Sequence, residues 1–105
     1  MRIIPPIMVV FAAFNGAAHA DQDQICKGDG MIADTIAAHR QFGGYTIAEM
    51  MDKLGSEPGL RAMILDAYGQ PLMLTAETRR IAVSEFANKW TVKCYTDGPA
   101  IPRKE

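Results

Sequence analysis

The sequence predicts an all-α protein, a small orthogonal or bundle-like array of about four short helices held by a single disulfide. Two observations support this class. Apolar residues recur at helical spacing in segments that glycine and proline separate. The chain also has only two cysteines, Cys26 and Cys94, placed far apart in sequence. We expect three parts: a signal peptide over 1–20, a helical domain over 21–98 and a flexible tail over 99–105.

The first twenty residues have the pattern of an export signal. Arg2 gives a basic start, an apolar stretch runs over 3–14, and small residues follow up to Ala20. The apolar stretch is well short of the roughly 20 residues that a membrane-spanning helix needs. Ala18 and Ala20 supply small side chains where signal peptidase reads them, so we expect cleavage after Ala20 and a periplasmic or secreted protein.

Charge and cysteine usage describe the chain that remains after cleavage. It keeps all 12 acidic residues and loses one of the 11 basic ones, Arg2, so its net charge is 10 minus 12, or −2. This balance gives no electrostatic reason to expect nucleic acid as a partner. In an oxidising compartment Cys26 and Cys94 are expected to form a disulfide. Closing so long a loop should stabilise the fold by about 4 kcal/mol.

The first two helices are predicted on either side of a Gly43-Gly44 break. Helix one is expected over 31–41, because Ile32 and Ile36 share one face after a polar stretch with two glycines. Helix two should begin at Thr46, which forms a capping-box pattern with Glu49. Its apolar stripe ends before Gly55.

The third and fourth helices are predicted from similar patterns. Ser56 and Pro58 precede an apolar stripe that ends before Gly69 and Pro71. Leu72-Met73-Leu74 is then expected to pack as a hydrophobic staple ahead of Thr75, the predicted N-cap of helix four. Residues 91–96 alternate in a β-like manner, so the sequence leaves open whether they are helical or extended.

Residues for catalysis or metal binding are scarce. After cleavage His39 is the only histidine, and the serines are Ser56 and Ser84, so a nucleophile, a base and an orienting group are hard to assemble. His39 is better explained as a cation near a helix C-terminus. We therefore expect no enzyme activity, no cofactor and no metal site.

The candidate binding surface is apolar and rich in methionine. We predict it from the side chains of Met50, Met51, Tyr68, Leu72 and Met73, since flexible thioethers suit adaptable contacts. The function expected from it is an exported interaction module that binds a protein partner in the cell envelope or an unfolded client, without stable membrane insertion. The alternative is a carrier of a small ligand or of Cu(I), using Met50, Met51, Met63 and Met73.

Two further features bear on partners. Arg79 and Arg80 open helix four, either as a solvated face or as a charged rim beside an apolar anchor such as Trp90; solvation is the simpler explanation. In plan, the chain resembles the acid-stress periplasmic chaperones of enteric bacteria, with Arg103-Lys104 at the place of their lysine-rich end. The resemblance implies client binding and assigns no residue.

Overall fold

The computed structural model describes residues 4–102, with side chains from Ala20 onward. This part of the chain is all-α, as predicted. Its helices are α1 (Ile4–Phe42), α2 (Ile47–Leu54), α3 (Pro58–Gly69) and α4 (Ala76–Asp97). None of the described helices is both long enough and apolar enough to span a membrane.

Helix α1 begins far earlier than the predicted start at Met31, so that prediction is wrong. Gly28 and Gly30, the two glycines of the polar stretch ahead of the predicted helix, both lie within α1. A Cβ at Gly30 would overlap the Thr91 hydroxyl of α4. Glycine therefore lets the two helices approach closely here, and this packing outweighs the roughly 1 kcal/mol by which glycine disfavours a helix.

Helices α1 and α4 form an antiparallel pair, because Cys26 joins Cys94 while Gln41 binds the segment just ahead of α4. The predicted disulfide is confirmed, with the two Cα atoms 5.4 Å apart and both cysteines buried. Helix α3 packs against α1, and α2 packs against α3. The largest fully buried side chains belong to Cys26, Ile36, Met50, Met63 and Ile64.

The predictions for α2 and α3 are confirmed. Thr46 caps α2, its hydroxyl accepting a hydrogen bond from the Glu49 amide while the Glu49 carboxylate accepts one from the Thr46 amide. Pro58 is the first residue of α3, where its missing N–H costs nothing. The N-cap of α3 is Glu57, one residue after Ser56, and its side chain makes no capping bond.

Helix α4 is helical through residues 91–96, which resolves the alternative left open by the sequence. The Thr91 hydroxyl donates to the Ala87 carbonyl, and the Thr96 hydroxyl donates to the Val92 carbonyl. Such bonds to the preceding turn let threonine sit inside a helix. Thr75 is the N-cap, as predicted, and its capping-box partner is Thr78.

The segment after α4 packs on the body of the protein. The amide of Ala100 donates to the buried carboxylate of Asp29, 2.7 Å away. A Cβ at Gly59 would overlap the Ala100 carbonyl oxygen, so α3 also contacts this segment closely. The packed chain thus continues past the predicted start of the tail at Pro99, and residues 103–105 of that tail lie outside the described residues.

Candidate protein-binding site

The loop between α3 and α4 carries the most exposed large apolar side chain of the described residues, that of Leu74. We call residues 70–75 (Gln-Pro-Leu-Met-Leu-Thr) the leucine loop. Leu72 is 49% exposed and Leu74 is 93% exposed. Single exposed leucines are common on protein surfaces, so the question is what holds these two outward.

Three side chains from outside the loop bind its backbone carbonyls. Arg40 donates from Nε and Nη2 to the Gln70 carbonyl, at 3.1 and 2.9 Å. Gln41 donates to the Pro71 carbonyl at 2.9 Å, and Arg79 donates to the Met73 carbonyl at 2.8 Å. The backbone of the leucine loop is therefore fixed by α1 on one side and by α4 on the other.

Gln41 is central to this arrangement because its side chain is buried and uses both ends of its amide. Besides binding Pro71, it accepts a hydrogen bond from the Met73 amide at 3.0 Å through Oε1. A buried amide left without partners would cost about 1–3 kcal/mol. The Gln41 amide and the loop backbone thus supply each other's hydrogen-bond partners. If the loop moved away, the Gln41 amide would be left buried without a partner or exposed to solvent.

The predicted hydrophobic staple does not form, so that interpretation of Leu72-Met73-Leu74 is wrong. A staple joins an apolar residue just before the N-cap to one four residues into the helix. Here those positions are Leu74 and Arg79, and the Arg79 guanidinium binds the Met73 carbonyl instead. Leu74 has no apolar partner across the helix start and projects into solvent.

A cavity of about 260 Å³ lies beside the leucine loop, between α1, α3 and α4. Ala37, Ala82 and Phe86 give it an apolar lining, and Arg40, Glu85 and Lys89 give it charged groups. Met73 and Pro71 of the loop also line it. The volume falls below the roughly 300–1,000 Å³ of sites that enclose small organic ligands, and it suits a single inserted side chain better.

Comparison with protein-family models, with characterised proteins and with solved structures finds no match to this chain. The geometry of the described residues must carry the functional argument.

The predicted surface residues divide between the core and the leucine loop. Met50 is 2% exposed and lies in the core cluster with Leu60 and Ile64, so its thioether does not reach the surface. Met51 is half-buried against the same core. Only Leu72 and Met73 of the predicted set belong to the leucine loop.

Tyr68, the remaining residue of the predicted set, makes a structural contact. Its hydroxyl donates to the Tyr45 carbonyl at 2.7 Å and so ties α3 to the turn before α2. Burial raises the pKa of Tyr68; the nearby charge of Arg40 opposes this and that of Glu49 adds to it. The sequence analysis missed Arg40 and Gln41, because their roles depend on contacts between distant segments. It interpreted Arg79 as part of a solvated face and Leu74 as part of a staple.

Asp66 and Trp90 form a separate polar contact between α3 and α4. Asp66 accepts hydrogen bonds from the Trp90 indole at 2.9 Å and from Gln70 at 3.1 Å, and pairs with Lys89 at 2.7 Å. Burial acts to raise the pKa of Asp66, but the hydrogen bonds from Lys89, Trp90 and Gln70 together with the charge of Lys89 outweigh it, so the pKa is lowered. Because Trp90 is buried, it is not an exposed anchor for a partner.

The described residues contain no group of three or more His, Cys, Asp or Glu that could hold a metal ion. Met63 is fully buried, like Met50, so two of the four thioethers considered for Cu(I) lie in the core. The ring of His39 stacks on Tyr45 with centroids 4.5 Å apart, and its Nδ1 is buried without a partner among the described atoms.

Proposed function

We propose that this protein is an exported, non-enzymatic interaction module that binds a protein partner or an unfolded client through the leucine loop. The observation that carries the proposal is the contrast between the side chains and the backbone of this loop. Leu72 and Leu74 are exposed, whereas the carbonyls of residues 70, 71 and 73 are each held by a side chain from α1 or α4. A rigid backbone lowers the entropy lost when exposed apolar side chains are buried on binding.

Export is supported by the composition of 1–20 and by where the core begins. Among residues with described side chains, those of α1 that join the core start at Cys26. If signal peptidase cuts after Ala20, Asp21 and Asp23 come to lie in the first turn of the shortened helix, where carboxylates are favoured. The Asp23 carboxylate also accepts a hydrogen bond from Tyr95 at 2.8 Å, which fastens this turn to α4.

Intact mass of the protein recovered from the cell envelope tests the export part of the proposal. A chain that starts at Asp21, with both cysteines protected from alkylation until they are reduced, is the expected result. A full-length chain in the cytoplasm with two reactive thiols would contradict export.

Photo-crosslinking inside the cell tests the binding part. A photoreactive phenylalanine derivative at position 74 should give a discrete adduct with another protein. The matched control places it at position 65, because Leu65 is 54% exposed on α3 and is outside the leucine loop. Equal labelling from both positions, or no adduct from position 74, would contradict binding through the leucine loop.

A further inference from the structure

The surroundings of the leucine loop are cationic as well as apolar. Residues 70–76 contain no charged side chain, yet the guanidinium groups of Arg40 and Arg79 are held against the carbonyls of this segment. Two positive charges thus stand within hydrogen-bond distance of a backbone that presents two leucines. Their positions are set by the fold, because each guanidinium is fixed through Nε.

Among the described side chains, neither arginine forms an ion pair. Within residues 20–102, whose side chains are described, the ion pairs are Lys89–Asp66 and Lys93–Asp97. Arg40 and Arg79 each bond to one loop carbonyl and to no other described acceptor, which leaves further N–H donors on both. Arginine offers several donors in a planar fork, the geometry that suits a carboxylate.

Two carboxylates come near this charge without forming an ion pair with either arginine: Glu77, two residues before Arg79, and Glu85. Glu85 lines the cavity, but it follows Arg79 by six residues, or roughly 9 Å along the helix. Lys89, which also lines the cavity, is already paired with Asp66. Arg40 therefore brings a positive charge to the cavity lining, and Arg79 holds a second one at the Met73 carbonyl of the adjoining loop.

We infer that the partner contributes a protein segment in which carboxylates flank an apolar side chain, the carboxylates meeting Arg40 and Arg79. This inference rests on the proposed function and adds the chemistry of its partner. The apolar side chain fits the 260 Å³ cavity lined by Ala37, Ala82 and Phe86, while Leu72 and Leu74 pack against the segment on either side. The presence of a cavity next to projecting leucines favours a protein segment over a lipid surface, which has no fixed side chain to insert.

The test is selection from a displayed library of random 12-residue peptides, with the disulfide-bonded protein immobilised. We expect the selected peptides to carry Asp or Glu within four positions of Leu, Phe or Trp. Arg79→Gln, which removes the charge and keeps a donor for the Met73 carbonyl, should weaken their binding about tenfold. Arg79→Lys, which keeps the positive charge, should bind the peptides more tightly than Arg79→Gln and less tightly than the wild type. Arg61→Gln is the control, because Arg61 is exposed and also bonds a backbone carbonyl, that of Gly55.

The outcomes separate the partner chemistry from the proposed function. Winning peptides that are neutral or basic but are lost in Leu74→Asp would overturn the acidic partner and leave the leucine loop as a binding site. Peptides that bind Leu74→Asp with unchanged affinity would overturn both the acidic partner and the leucine loop as a binding site. A selection that enriches no peptide would do the same. Sedimentation with phosphatidylglycerol vesicles that Leu74→Asp abolishes, without peptide binding, would replace the protein segment by an anionic lipid surface.

Discussion

The two ends of the α1–α4 pair are built in different ways. At one end the Cys26–Cys94 disulfide, the close contact at Gly30 and the hydrogen bond from Ala100 to Asp29 close the structure. At the other end Arg40, Gln41 and Arg79 hold the leucine loop, which leaves Leu72 and Leu74 in solvent. The disulfide end buries its cysteines and the Asp29 carboxylate, whereas the hydrogen bonds of the loop end hold a backbone whose leucine side chains are exposed to solvent. This difference separates the stabilising end from the end that we propose for binding.

The largest expected effect is at the disulfide end. Replacing both Cys26 and Cys94 by alanine should lower the free energy of unfolding by about 4 kcal/mol, because the unfolded chain gains the freedom of a long loop. Urea unfolding followed by circular dichroism measures it. A loss below 1 kcal/mol would mean that packing alone holds this end together.

The next effect is at the loop end. Gln41→Ala should cost about 2 kcal/mol, because the Pro71 carbonyl and the Met73 amide lose their partner. Amide hydrogen exchange should speed up in the leucine loop and stay slow around Cys94. Thr35→Ala is the control, since Thr35 is an exposed α1 residue whose hydroxyl bonds only within its own helix. Unchanged exchange in the loop would contradict its dependence on Gln41.

A smaller, pH-dependent effect is expected at Asp66. Its pKa in the folded protein lies below the ordinary 3.8, so its contribution to stability is complete above pH 3.8 and is lost as the pH falls through the folded-state value. Urea midpoints of the wild type should therefore fall more steeply below about pH 4 than those of Asp66→Asn. Parallel curves for the two proteins would show that Asp66 carries no such coupling.

The smallest effect on stability is predicted for Leu74 itself. Leu74→Ser should change the free energy of unfolding by less than about 0.5 kcal/mol, because the side chain is almost fully exposed. The same substitution should abolish capture of the partner. Leu65→Ser should leave capture intact, and a large loss of stability in Leu74→Ser would show that the side chain packs inward after all.

The sequence predicted those parts of the fold that depend on local patterns. The capping residues Thr46 and Thr75, the proline at the start of α3 and the spacing of apolar residues placed three helices. The disulfide followed from the number of cysteines and the export pattern. Helix α1 was predicted too short, because a glycine that ends a helix and one that permits close packing look alike until the partner helix is known.

The arrangement of the proposed binding site was harder to predict from the sequence, for a physical reason. Arg40 and Gln41 contact loop residues about 30 positions away, and no local pattern reveals such contacts. The staple expected at Leu72-Met73-Leu74 implied burial, whereas hydrogen bonds to the backbone of residues 70, 71 and 73 hold the loop with Leu72 and Leu74 exposed. Conversely, Met50 has the helical spacing of a core residue, and the structure buries it.

The most direct test of the proposed binding end is amide hydrogen exchange across the whole protein. It is measured for the protein alone and with an excess of the partner that crosslinking from position 74 identifies. The account predicts slower exchange in residues 70–75 and in the last turn of α1, with no change around Cys26 and Cys94. Protection confined to the disulfide end would contradict it and would move the binding site to the opposite end of the α1–α4 pair.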